Sequence, residues 1–416
     1  MKKFISLMLA LLMLVFSASA LAEAKTVTVQ LTADPEVTQN VAMILGARQS
    51  DLGSVNAVVA LVNALGFKVV AEDNAAQLDI TVKDQQLVSL GGVLTDDGVL
   101  IGSDLFPSFL FSLSKSTIED LVKQMMANMP GGGNMDMEAV LGKAAEYVVP
   151  FITSVQGAVT AGEPEAVEFE AEGIVFDTKT PQNVDVNAIA EAEKKLVSDL
   201  LTDETIAEML KAFSKDFDAE QAIQQNNEAM SEEHLPNVTV NVYTSSANGD
   251  VFFAESEATY KEDTEPSYRF TMLNKGDGTG TVCFYVLKEG LTFTVAYNPK
   301  GFMLEVEGNG AYFGLKMNIE QAGTNTDVTT EIYFMNKEKA LATVVISVRD
   351  GGEITLNLDP AGKQVMAIED MQNDKIDPSV TSAFASEIQG KIIPLASVLL
   401  TAVPEAAPLL QLIMGR

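Results

Sequence analysis

Residues able to do chemistry are scarce in this chain, and their scarcity decides more than their presence. Cys283 is the only cysteine and His234 the only histidine among 416 residues. Cys283 lies in Thr281-Val282-Cys283-Phe284-Tyr285-Val286, which reads as a strand, and a cysteine there behaves as a small hydrophobe rather than a nucleophile. His234 stands in Glu232-Glu233-His234-Leu235-Pro236, just before a strand. One Cys–His pairing in space is conceivable, but nothing local supports it. Triad chemistry has almost no candidates, and zinc sites built from His and Cys have none. No G-x-S-x-G, H-E-x-x-H, P-loop or dinucleotide glycine pattern occurs. Carboxylate-pair hydrolysis stays open, because 58 acidic residues supply pairs by chance. Sugar clefts, however, stack rings on aromatics, and this chain has no Trp and 7% aromatic residues. The reading is therefore non-enzymatic, with no cofactor and no metal.

Three segments imitate ligand sites. Asn274-Lys275-Gly276-Asp277-Gly278-Thr279-Gly280 has the look of a calcium loop, yet it lacks alternating acidic ligands, and Tyr285 stands where the closing glutamate would be. It reads as a hairpin turn. Pro130-Gly131-Gly132-Gly133-Asn134 is followed by no Lys-Ser/Thr and reads as a joint between helices. Glu168, Glu170 and Glu172 alternate with Val167, Phe169 and Ala171, a solvated outer face in preference to a cation site.

The first twenty-two residues bear on location. Lys2 and Lys3 precede an apolar run from Phe4 to Phe16, and Ala20-Leu21-Ala22 offers a small-x-small cleavage site. These are the parts of a signal peptide, and the run is short for a membrane span. The expected location is extracytoplasmic, secreted, periplasmic or cell-surface, after cleavage near Ala22. No cysteine at that site can carry a lipid. The formal charge is −31, which becomes −33 once Lys2 and Lys3 leave. Such acidity repels nucleic acid and anionic headgroups, so no nucleic-acid partner is expected. With 47% hydrophobic and 20% charged residues the chain can bury a large core.

The elements follow from periodicity. A strand at Thr26–Leu31 precedes helices at about Val37–Ala47 and Ser54–Leu65, the second ended by Gly66. Strands follow at Phe67–Glu72, Gln77–Val82 and Gln86–Gly91, then a hairpin around Asp96-Asp97-Gly98. Ser116 and Glu119 form a capping box for a helix to Met129. Met137–Ala158 is helical with a break at Pro150, and Ala166–Phe176 reads as one strand. The stretch 187–231 is helical. From Val238 to about Leu358 turns recur every ten to thirteen residues, among them Asn248-Gly249, Asn298-Pro299-Lys300-Gly301 and Asp350-Gly351-Gly352. That is the pattern of an antiparallel meander. The tail from Val380 is helical and apolar; Pro394, Pro404 and Pro408 break it into pieces that pack on the sheet rather than span a membrane.

The expected organisation is a signal peptide at 1–22, an N-terminal α+β lobe at 23–185, a helical connector at 186–236, an antiparallel β-meander at 237–371 and C-terminal apolar helices at 372–416. The fold class is α+β: a long curled antiparallel meander covered by helices, with two similar lobes as a variant. In layout the block from Val238 to Leu358, with turns such as Asn248-Gly249 and Asn298-Pro299-Lys300-Gly301, resembles exported lipoprotein-carrier-like and lipid-binding half-barrel proteins. That resemblance implies a hydrophobic cavity between sheet and helices. Phe270, Met272, Phe284, Phe293, Met303, Phe313, Met317 and Met335 are the candidates to line it, methionine adapting to varied apolar shapes. The same residues would equally fill a dry core. The expected partner is a lipid or other hydrophobic ligand, or an envelope protein, bound by a soluble monomer or weak oligomer. The alternatives are a structural or adhesive surface protein without a pocket, and a carboxylate-dependent hydrolase.

Overall fold

Short alternating segments punctuated by Gly, Asn and Asp form ladders wherever two of them meet in register, and this chain consists largely of such segments. The computed structural model describes residues 24–118, 137–213, 217–372 and 375–409. The expected signal peptide, the triple-glycine joint and most of the helix to Met129 lie outside the described residues. In chain order the strands are β1 (Lys25–Ala33), β2 (Leu65–Glu72), β3 (Ala75–Val82), β4 (Gln85–Thr95), β5 (Gly98–Ser103), β6 (Phe109–Ser114), β7 (Val159–Ala161), β8 (Glu165–Ala171), β9 (Ile174–Val184) and β10 (Asn237–Ser245). They continue with β11 (Asn248–Thr259), β12 (Tyr268–Asn274), β13 (Gly280–Val286), β14 (Leu291–Asn298), β15 (Gly301–Gly308), β16 (Ala311–Ala322), β17 (Asn325–Phe334), β18 (Ala342–Asp350) and β19 (Gln364–Ala367). The helices are α1 (Pro35–Ile44), α2 (Leu52–Ala64), α3 (Met137–Gly157), α4 (Val186–Thr202), α5 (Glu204–Phe213), α6 (Ala219–Ala229), α7 (Ile368–Gln372) and α8 (Pro378–Ala402). Among the described residues the fold is mixed α and β, dominated by a large antiparallel meander sheet of nineteen strands.

The chain divides into two compact units. Unit 1 comprises residues 1–120 and 312–416, unit 2 residues 121–311. In unit 1 the strand order is β16-β17-β18-β1-β2-β3-β4-β5-β6-β19, antiparallel except for the last pair. From β2 to β6 the sheet is buried on both faces: Leu78, Ile101, Phe111 and Leu113 on one, Val70, Gln77, Ser89 and Leu110 on the other. Phe106, Phe109 and Phe111 meet Phe384 of α8 edge-on, with ring centroids 5.3–5.5 Å apart. Farther along α8, Leu399 and Ala402 pack on Ala64, Val82, Val403 and Ala406. Between these anchors Ile392 and Ile393 remain 48% and 74% exposed. By length and composition α8 is apolar enough to cross a membrane.

In unit 2 the order is β8-β9-β10-β11-β12-β13-β14-β15, with β7 on the same edge of β9 as β8. Helices α3 to α6 pack on one another, and α3 also reaches β7.

The structure corrects several expectations. Gly66 does not cap a helix: it lies in β2 opposite Thr81, whose hydroxyl would be 2.7 Å from any Cβ placed there. Pro150 and Pro394 sit inside continuous helices. A proline removes one rung, and the rungs on either side hold the helix. The segment Ala166–Phe176 is a hairpin, turning at Glu172-Gly173 with both residues in left-handed conformation. The first turn of the long meander falls at Ser246-Ala247, because Ser245 pairs with Asn248. Ser246 donates its N–H to the Asp177 carboxylate at 3.1 Å and its hydroxyl as well, fixing the turn two residues early. Those bonds hold the Asp177 carboxyl below the usual range. The Ser114 hydroxyl accepts from the Thr117 N–H at 3.3 Å, and the expected pairing of Ser116 with Glu119 reaches outside the described residues. The tail does not break at Pro394; it runs helical to Ala402 and then through a short 3-10 turn at Pro404–Ala406.

The meander ends at Asp350, and residues 353–358 form no ladder. Gly351 and Gly352, with φ of +80° and +142°, turn the chain off β18 into a strap across β3–β5. The Gln77 side chain, 1% exposed, accepts hydrogen bonds from the N–H groups of Thr355 (2.9 Å) and Leu356 (2.8 Å). Gly91 and Gly102 leave room for Leu356 and Leu358.

Candidate functional site

In a sheet, alternate residues share a face, so the register decides which side chains stand together. In unit 2 one cross-strand row runs Val240, Ser256, Phe270, Phe284, Phe293, Val306. The next runs Val242, Ala254, Met272, Val282, Val295, Leu304. They are flanked by Val238, Ala258, Tyr268, Val286, Leu291 on one side and Thr244, Phe252, Asn274, Gly280, Tyr297, Phe302 on the other. No Asp, Glu, Lys or Arg occurs in any of these rows. Six strands about 4.8 Å apart and four positions about 6.7 Å apart give a face of roughly 24 by 20 Å.

This face is open. Phe270 and Phe284 are 37% and 39% exposed, its other side chains are half-buried, and only Gly280, which has no side chain, is buried. The rings of Tyr260, Tyr268, Phe284 and Phe293 form a stripe across it, with centroids 6.1, 5.8 and 6.2 Å apart in turn.

The opposite face carries the charges and also the buried cluster. Arg269 donates to the Glu257 carboxylate at 2.6 Å, and the Tyr243 hydroxyl donates to Glu255 at 2.7 Å. Burial, together with that carboxylate, pushes the Tyr243 phenol up to about 12. Tyr243 packs with Phe176, Val251 and Leu273, and Phe169 stacks on its ring at 4.3 Å. The charged face is thus sealed at one end, while among the described residues no such buried cluster lies on the apolar face.

The eight residues expected to line a cavity do not form one set. Phe270, Met272, Phe284 and Phe293 stand together on the uncharged face of unit 2. Met303 pairs with Ala296 and so points to the opposite face. Phe313 and Met317 share a second apolar face, in unit 1, with Leu315, Ile319, Val328 and Ile346; Phe313 is 38% exposed. Met335 is on neither face. It follows β17 with φ of +58°, donates its N–H to the Tyr312 carbonyl and is 42% exposed. Parity along each strand carried this information, and residue type alone did not.

Catalytic and metal-binding groups are dispersed. Cys283 lies on the charged face, its sulfur 3.6 Å from the Thr294 hydroxyl. His234 bonds to Ser231 and to the Glu228 carbonyl, so the two are not partnered. Burial and the neighbouring Cys283 push the Tyr285 phenol up. Among the described residues no group of three His, Cys, Asp or Glu side chains could hold a metal ion. The calcium-like segment is a turn in which Asp277 accepts from the Thr279 N–H and hydroxyl, at 3.0 and 2.5 Å.

Among the described residues, two hollows lie beside helices. One in unit 2, of about 440 Å³, is lined by Tyr147, Asp199, Thr202, Asp203, Glu204 and Thr205. Its polar groups serve local structure: the Tyr147 hydroxyl donates to Asp203, which accepts the first N–H groups of α5. The other, in unit 1, of about 510 Å³, lies beside the start of α8 and is lined by Met366, Met371, Ile376 and Phe384 among others. No family model, curated protein or solved structure matches the chain.

Proposed function

We propose that the protein is exported and acts by binding rather than catalysis, holding a hydrophobic, lipid-like molecule on the uncharged face of unit 2. One observation carries the reading: across six neighbouring strands that face bears neither a charged side chain nor a buried one. An antiparallel sheet in water ordinarily buries its apolar face and wets the other. Here the apolar face is open, and a patch of this size sits near the upper end of what monomers expose. Twist curls a long meander, and a curled face can shelter a chain-like molecule while helices complete the cover. Export is supported by the composition of the first twenty-two residues.

The magnitude is modest. A chain of about twelve methylenes gains about 0.8 kcal/mol for each one fully buried, and about half that when one side stays wet. The sum, about 5 kcal/mol, corresponds to a dissociation constant of roughly 0.1–1 mM. Any tighter binding requires cover on the second side.

The test is native mass spectrometry of the protein purified from its host without detergent. A reproducible adduct that organic solvent extracts as a lipid supports the reading; the bare polypeptide mass refutes it. A second reading, a surface-binding protein whose apolar face meets another protein, is favoured by one feature: the face is a surface rather than a chamber. Under that reading Phe284→Ser abolishes partner capture and leaves lipid content unchanged at zero.

A further inference from the structure

We infer that the molecule held on the uncharged face of unit 2 is an amphiphile without net negative charge, its chain on the face and its head at the end marked by Tyr260 and Tyr268. This rests on the ligand reading above. The aromatic stripe is directional: Phe293 and Phe284 lead to Tyr268 and Tyr260, so it begins in hydrocarbon and ends in two phenols. An aromatic with a polar tip suits the boundary between a greasy body and a wet head.

The turns bordering that end, 260–267 and 287–290, contain two lysines, and both are engaged. Lys288 pairs with Asp263 at 2.6 Å, and Lys261 donates to the Glu232 carbonyl at 2.6 Å. Glu262, Glu265 and Glu289 on the same turns have no such pairing among the described residues, which leaves the border net negative. The formal charge of −31 adds a long-range field of the same sign. A carboxylate, sulfate or phosphate head meets repulsion there with no spare ammonium to answer it. An uncharged or cationic head does not.

The experiment is displacement of N-phenyl-1-naphthylamine, an uncharged fluorescent probe, from the full chain. Dodecyl maltoside and dodecanoate are compared below their micelle concentrations, since they share a chain and differ in head. At about 10 mM salt the maltoside displaces the probe at a concentration at least ~10-fold lower than dodecanoate. At about 500 mM salt the gap falls to within ~3-fold, because the Debye length shrinks from about 30 Å to below ~5 Å. Phe284→Ser weakens both displacements, and Glu265→Lys with Glu289→Lys narrows the low-salt gap. Equal displacement at low salt, still dependent on Phe284, overturns the head-group inference and leaves the ligand reading standing. Displacement by neither compound, or without dependence on Phe284, overturns the ligand reading itself.

Discussion

Replacing Gln77 by glutamate changes one atom type and puts the strap of unit 1 under test. In the native protein the Gln77 carbonyl oxygen accepts from the Thr355 and Leu356 N–H groups. Its amide nitrogen donates to Asp79 at 2.6 Å and to the Thr355 hydroxyl at 3.0 Å. Ser89 donates to the same Asp79 oxygen at 2.5 Å, and Asp79 is 7% exposed. Gln77→Glu keeps the two acceptor contacts, removes both donors and sets a second carboxylate against Asp79. The lost charge-assisted bond is worth about 1.5–3 kcal/mol, and like-charge repulsion, which raises one carboxyl pKa, adds about 2 kcal/mol. Together the destabilisation near pH 7 is about 3–5 kcal/mol. Its sign with pH follows from linkage. A carboxyl whose folded pKa is raised leaves stability intact below its unfolded pKa, about 4.3, and costs stability as pH climbs through the folded value. The deficit relative to wild type is therefore smallest near pH 4, where the protonated glutamate has an O–H to donate to Asp79, and grows to a plateau near neutrality. Urea midpoints at the two pH values measure it. Gln77→Leu removes the acceptor instead, so hydrogen exchange at Thr355 and Leu356 accelerates at least ~10-fold, equivalent to about 1.4 kcal/mol. A Glu variant with a pH-independent deficit, or a Leu variant whose two amides stay protected, refutes the reasoning.

Three further outcomes are expected. Tyr243 is neutral in both states well below 10.0; as pH rises through that value toward about 12 the unfolded chain ionises first, so stability falls by as much as about 3 kcal/mol, and Tyr243→Phe lacks this part of the alkaline slope in a pH-resolved urea titration. Phe176→Ala, at a fully buried ring, costs about 3–5 kcal/mol, whereas Phe284→Ala on the open face costs under about 1 kcal/mol; comparable losses in chemical denaturation would mean the face is covered. Gly98→Ala places a Cβ 2.0 Å from the Leu113 carbonyl oxygen at φ of +150°, and circular dichroism melting shows a loss of more than about 2 kcal/mol, while Gly46→Ala, with open space around it, costs only the left-handed backbone strain of about 1 kcal/mol.

The meander was legible because its turns are written in residues that few other contexts favour. Asp96-Asp97-Gly98, Lys275 to Gly278 and Asn298 to Gly301 all fall between paired strands. Periodicity also divided β8 correctly, with Val167, Phe169 and Ala171 more buried than the glutamates between them. Two kinds of feature were not legible. Proline signs such as Pro150 and Pro394 describe a local cost of about 3 kcal/mol, which surrounding helix rungs absorb. The strap depends on one buried side chain, Gln77, that is 278 positions from Thr355, and no local pattern encodes such a pairing. The site was legible in part. Alternation places Phe270, Met272, Phe284 and Phe293 together, but only the register separates Met303 from them, and only the burial of Tyr243 and Leu273 shows that the charged face is the sealed one.

Strand β1 has β2 on one edge and β18 on the other, and its first residue, Lys25, pairs with Asp350 across 325 positions. The order of synthesis makes this a timing problem. The β1–β2 ladder can close early, but its other edge waits for a strand that is made near the end. At roughly 5–20 residues per second, a gap of about 270 residues keeps that edge without its partner for about 15–50 s. A row of vacant amides beside Val27, Val29 and Leu31 is then available to any extended neighbour, another nascent copy included. Unit 2 is unbroken in sequence and can finish within that interval. A protein built this way gains from being held unfolded until the last strand has emerged, which a chain threaded through a membrane before folding achieves by default.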